Sequence, residues 1–282
     1  MNPMLKYRGG KSREIPLFVK YLPTSFDHYL EPFLGGGAVF FYLEPTKAII
    51  NDINSRLMTF YSQVRDSYAE MRVQLDELQY RYETNHLNYK KLKTETPQAR
   101  VPNDNEELYY KLRDLFNYPN GTYLDGVLYY FINKTAYSGM IRYNSTGEYN
   151  VPFGRYPNFN TRMVSQEHHN LLRRSELHNT DYNKILEMSN SNDFMFLDPP
   201  YDCVFNDYGN VAAMNGFDES QHRRLAADFR ALSCKALMVI GKTALTEELY
   251  GEYLHDEYYK NYSVNIKNRF NNDKMHIIVK NY

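Results

Sequence analysis

Tryptophan is absent from the 282 residues, and cysteine occurs only as Cys203 and Cys234. Two thiols that far apart make no CxxC pair. Neither a disulfide framework nor a metal site is expected, and a reducing compartment suits the chain. No apolar run approaches the length of a membrane span, and the first residues lack a signal-peptide core. A soluble, cytoplasmic protein that does not engage membranes is therefore expected. An excess of either charge is also missing: Lys and Arg total 33 against 34 Asp and Glu, a net charge of −1. A nucleic-acid footprint is set by local charge, however, and residues 1–20 carry Lys6, Arg8, Lys11, Arg13 and Lys20 against Glu14 alone. A basic face is expected there. The GxGxxG fingerprint is absent. "RGGKS" at 8–12 is no phosphate loop either, because Leu5 stands where its first glycine belongs.

What is present is enough apolar residue, 43%, to build a core, in a chain long enough for one large domain or two modest ones. Tyrosine is abundant at 28. Its ring stacks and its hydroxyl bonds, which suits contact with bases, although compositional drift accounts for the bulk of these residues.

The patterning begins as a parallel α/β sheet. "DHYLEPF" (27–33) reads as a strand, "LGGGAVFFYLE" as a glycine turn opening a helix, and "KAIINDIN" (47–54) as a second strand ending in an acid. Residues 55–116 then read as helix, broken by a loop at 94–107. A helix follows at 125–137 with Asp125 as its N-cap. Residues 140–154 alternate about Asn144-Ser145-Thr146-Gly147 and predict a β-hairpin with Pro152 near its end. Strands are expected at 176–182, 194–201, 235–243, 262–266 and 275–282. A helix at 218–233 carries Asp218 and Gln221 as a capping box. This is an α/β sheet domain, residues 1–54 and 160–282, interrupted by an insertion at 55–159.

Two stretches carry chemistry. Gly35, Gly36 and Gly37 lie between strand and helix, where a ligand can approach the backbone closely. Asp52 ends the next strand, where a carboxylate can accept both hydroxyls of a ribose. The second stretch is "DPPY" at 198–201. Two prolines make it stiff and extended. The Asp198 carboxylate and the Pro199 carbonyl are then adjacent acceptors for the two N–H bonds of a planar amine, and Tyr201 can cover the ring that bears it.

With "KYRGGK" (6–11), "EPFLGGGAVF" (31–40), "NDIN" (51–54), "RYNSTGEYNVPFGRY" (142–156) and "DPPY" in that order, the chain resembles the Dam-type DNA N6-adenine methyltransferases. The resemblance implies a Rossmann-like S-adenosylmethionine-dependent methyltransferase sheet with an inserted helical and β-hairpin target-recognition domain. It implies S-adenosyl-L-methionine as donor and a flipped adenine in a short, specific duplex DNA site, GATC-like or related, as acceptor. It places Tyr7, Lys11, Gly35, Gly36, Gly37, Asp52, Asp181, Tyr182 and Asp198 at the donor, and Asp198, Pro199 and Tyr201 at the reacting amine. Lys6, Tyr137, Ser138, Met140, Arg142 and Pro152 fall to the DNA, with Tyr137 and Met140 as wedges and Arg142 on a guanine edge. Two positions depart from the family pattern. Tyr7 stands where tryptophan is usual, and Ser138 where GATC-specific relatives tend to have asparagine. Neither Cys203 nor Cys234 follows a proline, as the nucleophile of a cytosine-C5 enzyme usually does. A cognate restriction endonuclease is an implied partner, and a monomer or weak dimer the expected state. The alternatives are an RNA adenine methyltransferase and a catalytically silent DNA-binding protein of the same fold.

Overall fold

The computed structural model describes residues 1–98, 100–201, 217–261 and 273–282. The chain divides into two compact units. A helical unit comprises Met1–Gly9 and Asn54–Arg173; a sheet unit comprises Gly10–Ile53 and the described residues from Arg174 onward. The strands are β1 (Tyr29–Glu31), β2 (Ala48–Asn51), β3 (Ser175–His178), β4 (Phe194–Leu197), β5 (Lys235–Gly241), β6 (Leu254–Asn261) and β7 (Asp273–Lys280). The helices among the described residues are α1 (Ile15–Phe18), α2 (Ala38–Leu43), α3 (Ser55–Asp66), α4 (Tyr68–Glu95), α5 (Asp104–Asn117), α6 (Asp125–Thr135), α7 (Gln166–Arg173), α8 (Tyr182–Glu187), α9 (Glu219–Ala231) and α10 (Ala244–Tyr250). None of them is long and apolar enough to cross a membrane.

The sheet runs β3-β2-β1-β4-β5-β7-β6. Its first five strands are parallel, and β7 is antiparallel to both β5 and β6. Strand β4 shows why these short apolar runs become buried strands. Phe194 meets Tyr29 and Phe26 on one face, where Phe196 also stacks on Phe18. Met195 and Leu197 point into a second core with Leu30, Met238, Ile240, Leu225 and Phe229. A strand covered on both faces needs side chains that are apolar at every position. The chain order reverses between β1 and β4. A doubly wound sheet opens its ligand crevice at such a point, beyond the carboxyl ends of the strands.

In the helical unit, α4 buries Met71, Leu75, Leu78 and Tyr82, spaced four, three and four apart as one helical face requires. Helix α6 is buried nearly all round, from Gly126 to Asn133. Tyrosine is a core residue here. The Tyr82, Tyr109 and Tyr130 rings pack among Phe131, Phe153 and Phe159. Their hydroxyls donate to the carbonyls of Tyr156, Val151 and Asn160, at 2.6, 2.8 and 2.8 Å.

Several boundaries differ from the sequence reading. The strand expected at 176–182 stops at His178, because Asp181 turns to cap α8, accepting from the Asn183 N–H at 3.1 Å. Asp125 is the first residue of α6 rather than its cap; Leu124 takes the cap position, which lacks a side-chain bond. Asp218 does cap α9, accepting from the Gln221 N–H at 3.0 Å. The hairpin at 140–154 is a turn rather than a ladder, with the isolated bridges Tyr143–Tyr149 and Ala136–Phe153. The Asn144 side chain shapes that turn by accepting from the N–H groups of Thr146 and Glu148. Strand β6 and helix α10 had no counterpart in the expected pattern. The strand expected at 262–266, and Cys203, lie outside the described residues.

Candidate active site

The glycine turn follows β1 directly. Gly35 and Gly37 have φ of +49° and +67°, a left-handed region that any Cβ strains. Gly37 is also crowded: a Cβ there would lie 2.8 Å from the Phe41 ring. Asp52 stands just beyond β2, half-buried, and its Oδ2 accepts from the Gly35 N–H at 2.9 Å. Behind it, buried Asn51 donates to the carbonyls of Pro32 and Thr180 and accepts from the Thr180 N–H. One amide thus fastens the loops after β1, β2 and β3.

Asp198 leaves the end of β4 with its side chain 22% exposed. Lys11, only 2% exposed, donates to Asp198 Oδ1 and, at 2.6 Å, to the Tyr201 hydroxyl. The structure therefore brings Lys11, Asp198 and Tyr201 into one cluster. Burial raises the Asp198 carboxyl above its ordinary range, and the adjacent Lys11 opposes that rise. Pro199 is buried beside it, and Pro200 half-buried. Glu31, at the end of β1, is buried and accepts from the Tyr29 hydroxyl at 2.7 Å. Burial holds its carboxyl well above the usual range.

Lys11 does not join a basic face, since it is buried against Asp198. The expected cluster of basic residues in 1–20 is reduced accordingly; Glu14 is buried as well. Asp181 caps α8 and pairs with Arg224 at 3.1 Å. Tyr182 is 5% exposed, packs on Phe33 and donates to Asp228 at 2.9 Å. Phe33 falls within the EPFLGGGAVF stretch but was given no role from it; Arg224 and Asp228 were not singled out, and no motif marks them.

In the helical unit, Tyr7 is half-buried. Asn133 pins the backbone of Lys6, accepting from its N–H at 2.9 Å and donating to its carbonyl at 2.7 Å. The Lys6 ammonium lies over the Tyr156 ring, 4.0 Å from its centroid. Tyr137, Ser138, Met140, Arg142 and Pro152 are all exposed. The Tyr137 N–H donates to the Pro152 carbonyl at 2.9 Å, and Arg142 Nε donates to Asn150 Oδ1 at 2.9 Å. Ser138 holds a left-handed φ of +54°, followed by Gly139 at +61°. This segment thus presents two apolar side chains and a guanidinium from a tightly folded turn.

The sheet unit is a Rossmann-like α/β body with its glycine turn, acid and Asp-Pro-Pro-Tyr segment at the carboxyl ends of β1, β2 and β4. The chain matches the profile of the D12 class N6 adenine-specific DNA methyltransferases over residues 7–266, and it belongs to that family. It is 32% identical to the Type II methyltransferase M.CviBI of Paramecium bursaria Chlorella virus NC1A, over the whole of both chains. It is 32% identical to the Type II methyltransferase M.MjaIII of Methanocaldococcus jannaschii, covering 89% of this chain and 87% of that one. With the DNA adenine methylase of Salmonella typhi the identity is 29%, over 87% of this chain and 83% of the other. The protein is a site-specific adenine DNA methyltransferase, and its reaction moves a methyl group to adenine in DNA.

Proposed function

We propose that the methyl donor is S-adenosyl-L-methionine and that the acceptor is the N6 amine of an adenine flipped out of a short, specific duplex site. The observation that carries this reading is the Lys11–Asp198–Tyr201 cluster at the strand-order reversal. The residues around the glycine turn suit such a donor. Gly35 and Gly37 make the left-handed turn after β1 without a Cβ, and half-buried Asp52 offers a carboxylate to ribose hydroxyls. Lys11, Gly35, Gly36, Gly37, Asp52 and Asp181 would hold the donor. Tyr7 and Tyr182 join them on motif grounds alone, Tyr182 being committed to the core. When bound, the donor supplies an electrophilic sulfonium methyl.

The chain's own task is to prepare the nucleophile. An adenine amine is weakly nucleophilic because its lone pair is shared with the ring. Asp198 and the Pro199 carbonyl would accept its two N–H bonds, favouring a pyramidal nitrogen with its lone pair free. Tyr201 would cover the base. Lys11 holds Asp198 in place, and Asp198 or water takes the proton that the methylated nitrogen loses. Tyr137 and Met140 would wedge into the stack, Arg142 would read a guanine edge, and Lys6, Ser138 and Pro152 would line the contacted bases. The helical segment 55–159 serves as the target-recognition domain. A GATC-like or related site, a cognate restriction endonuclease, a monomeric or weakly dimeric state and a cytoplasmic location complete the reading.

The test is to incubate the protein with labelled S-adenosyl-L-methionine and unmodified duplex DNA, single-stranded RNA or no nucleic acid, and to map modified adenines by sequencing. Label confined to N6 of adenine within one short duplex motif is expected. Label in RNA, or none in DNA while the donor binds in calorimetry, would overturn it.

A further inference from the structure

Behind Tyr201 lies a second polar cluster to which the reading above gives no work. Glu14 is 4% exposed, yet its carboxylate joins its own turn to β6 and β7. Its N–H donates to the Lys11 carbonyl at 2.7 Å, placing the two residues on one tight turn. Lys260 Nζ of β6 lies 2.5 Å from its Oε1, and His276 Nδ1 of β7 lies 2.9 Å from its Oε2. The Tyr258 hydroxyl of β6 donates to Oε2 at 2.7 Å. His276 is fully buried, and its ring meets Tyr201 edge-on, 5.2 Å between centroids with 68° between planes. Gly241 lies opposite His276 in the β5–β7 ladder and close to the Tyr201 ring.

We propose that Glu14 is a positioning residue for methyl transfer, acting on Tyr201 through His276 and on Asp198 by balancing the charges of Lys11 and Lys260. The proposal rests on the roles assigned above to Asp198 and Tyr201. A buried carboxylate that gathers an ammonium, a phenol and an imidazole stays put only while all are in place. That network fixes the tilt of the Tyr201 ring against His276, and with it the wall on which a base would lie. Its charge also reaches Asp198. The groups facing Asp198 are Lys11 and Glu14 from the first turn, Lys260 from β6, Glu31 and Tyr29 from β1, and Tyr201 with His276 behind it. The lysines lower the proton affinity of Asp198, and Glu14 raises it. Without the Glu14 charge the lysines draw more strongly on Asp198, leaving a weaker acceptor for the amine.

The experiment compares Glu14→Gln with Asp198→Ala, each checked for folding by circular dichroism and thermal melting. For Glu14→Gln, kcat falls about tenfold, less than loss of a direct transition-state contact, while KM for donor and DNA stays within about twofold. The acid limb of its kcat/KM profile moves to lower pH, a shift that loosened packing alone does not produce. Because Glu14→Gln leaves Lys260 buried without its carboxylate, Glu14→Gln/Lys260→Met is the second variant. It melts near the wild-type temperature and keeps the lowered kcat, because His276 has still lost its carboxylate; its acid limb returns toward wild type, because the lost Glu14 and Lys260 charges offset each other at Asp198, and its kcat carries the test if the single variant does not fold. A folded Glu14→Gln with wild-type kcat and an unmoved limb, or a folded double variant with wild-type kcat, beside an inactive Asp198→Ala, overturns the positioning role alone. An active Asp198→Ala overturns the reading on which it stands.

Discussion

Asp198 is held by two opposing forces, burial and the Lys11 ammonium, and the acceptor role proposed for it requires the carboxylate form. Asp198→Ala is expected to lower kcat by about 10²-fold or more, the scale of one transition-state contact, in single-turnover assays. The pH profile carries a sign. Burial raises this carboxyl above the ordinary 3.8, so activity fades as pH falls through a value higher than that. An acid limb at or below the ordinary aspartate range would contradict the assignment. Glu14 behaves in the opposite sense. Burial alone would raise it, but His276, Lys11 and Lys260 prevail and hold it at about 2. Its contribution to stability is therefore complete above the ordinary carboxyl range and vanishes as pH falls through about 2. At the helical unit's surface, Arg142→Ala should cost about 1–3 kcal/mol of discrimination at a single base pair, read as relaxed specificity by sequencing. Asp198, Lys11 and Tyr201 were each legible in motifs, but their union through one ammonium was not. Glu14, Lys260 and His276 were invisible as a group, because charged residues so far apart in the chain share no spacing that a pattern could reveal.

Elements were legible where local chemistry decided them. β1, β2, β4 and β5 are short apolar runs bounded by turn residues, and the glycine turn before α2 was read directly. The misreadings have local causes too. "NTDY" looks like strand until Asp181 turns back to cap α8. The segment 140–154 alternates like a hairpin, yet what fixes it comes from elsewhere: the Tyr109 hydroxyl on Val151 and the Asn117 side chain on the Tyr149 backbone. Two outcomes follow at this scale. In Gly37→Ala a left-handed φ and a 2.8 Å clash with Phe41 coincide. Urea unfolding should show a loss of at least about 1–2 kcal/mol from the backbone conformation alone. In Tyr149→Phe the 2.8 Å bond to the Met140 carbonyl is lost. That costs about 1 kcal/mol, and the KM for DNA should rise while donor affinity measured by calorimetry stays constant.

Across the whole molecule, the strand order β3-β2-β1-β4-β5-β7-β6 ties the glycine turn, Asp52 and Asp198 to neighbouring strand ends, whatever their distance in sequence. The parallel α/β class could be read from the rhythm of its first strands; the antiparallel β6–β7 edge could not, because nothing local distinguishes a returning strand from a parallel one. If the donor binds only the folded protein, S-adenosyl-L-methionine at about 100 times its Kd should add about 2.7 kcal/mol of stability. A thermal shift in wild type and in Tyr149→Phe checks this, and the same increment is expected in both.

The side chain of Asn51 gives the sheet a mechanical property as well. A single carboxamide is bonded to the roots of the loops after β1 and β3 while its own backbone accepts the Leu34 N–H. Deuterium should therefore reach the amides of Leu34 and Thr180 in one shared opening event, and replacing that carboxamide by a methyl would let the two exchange on separate clocks.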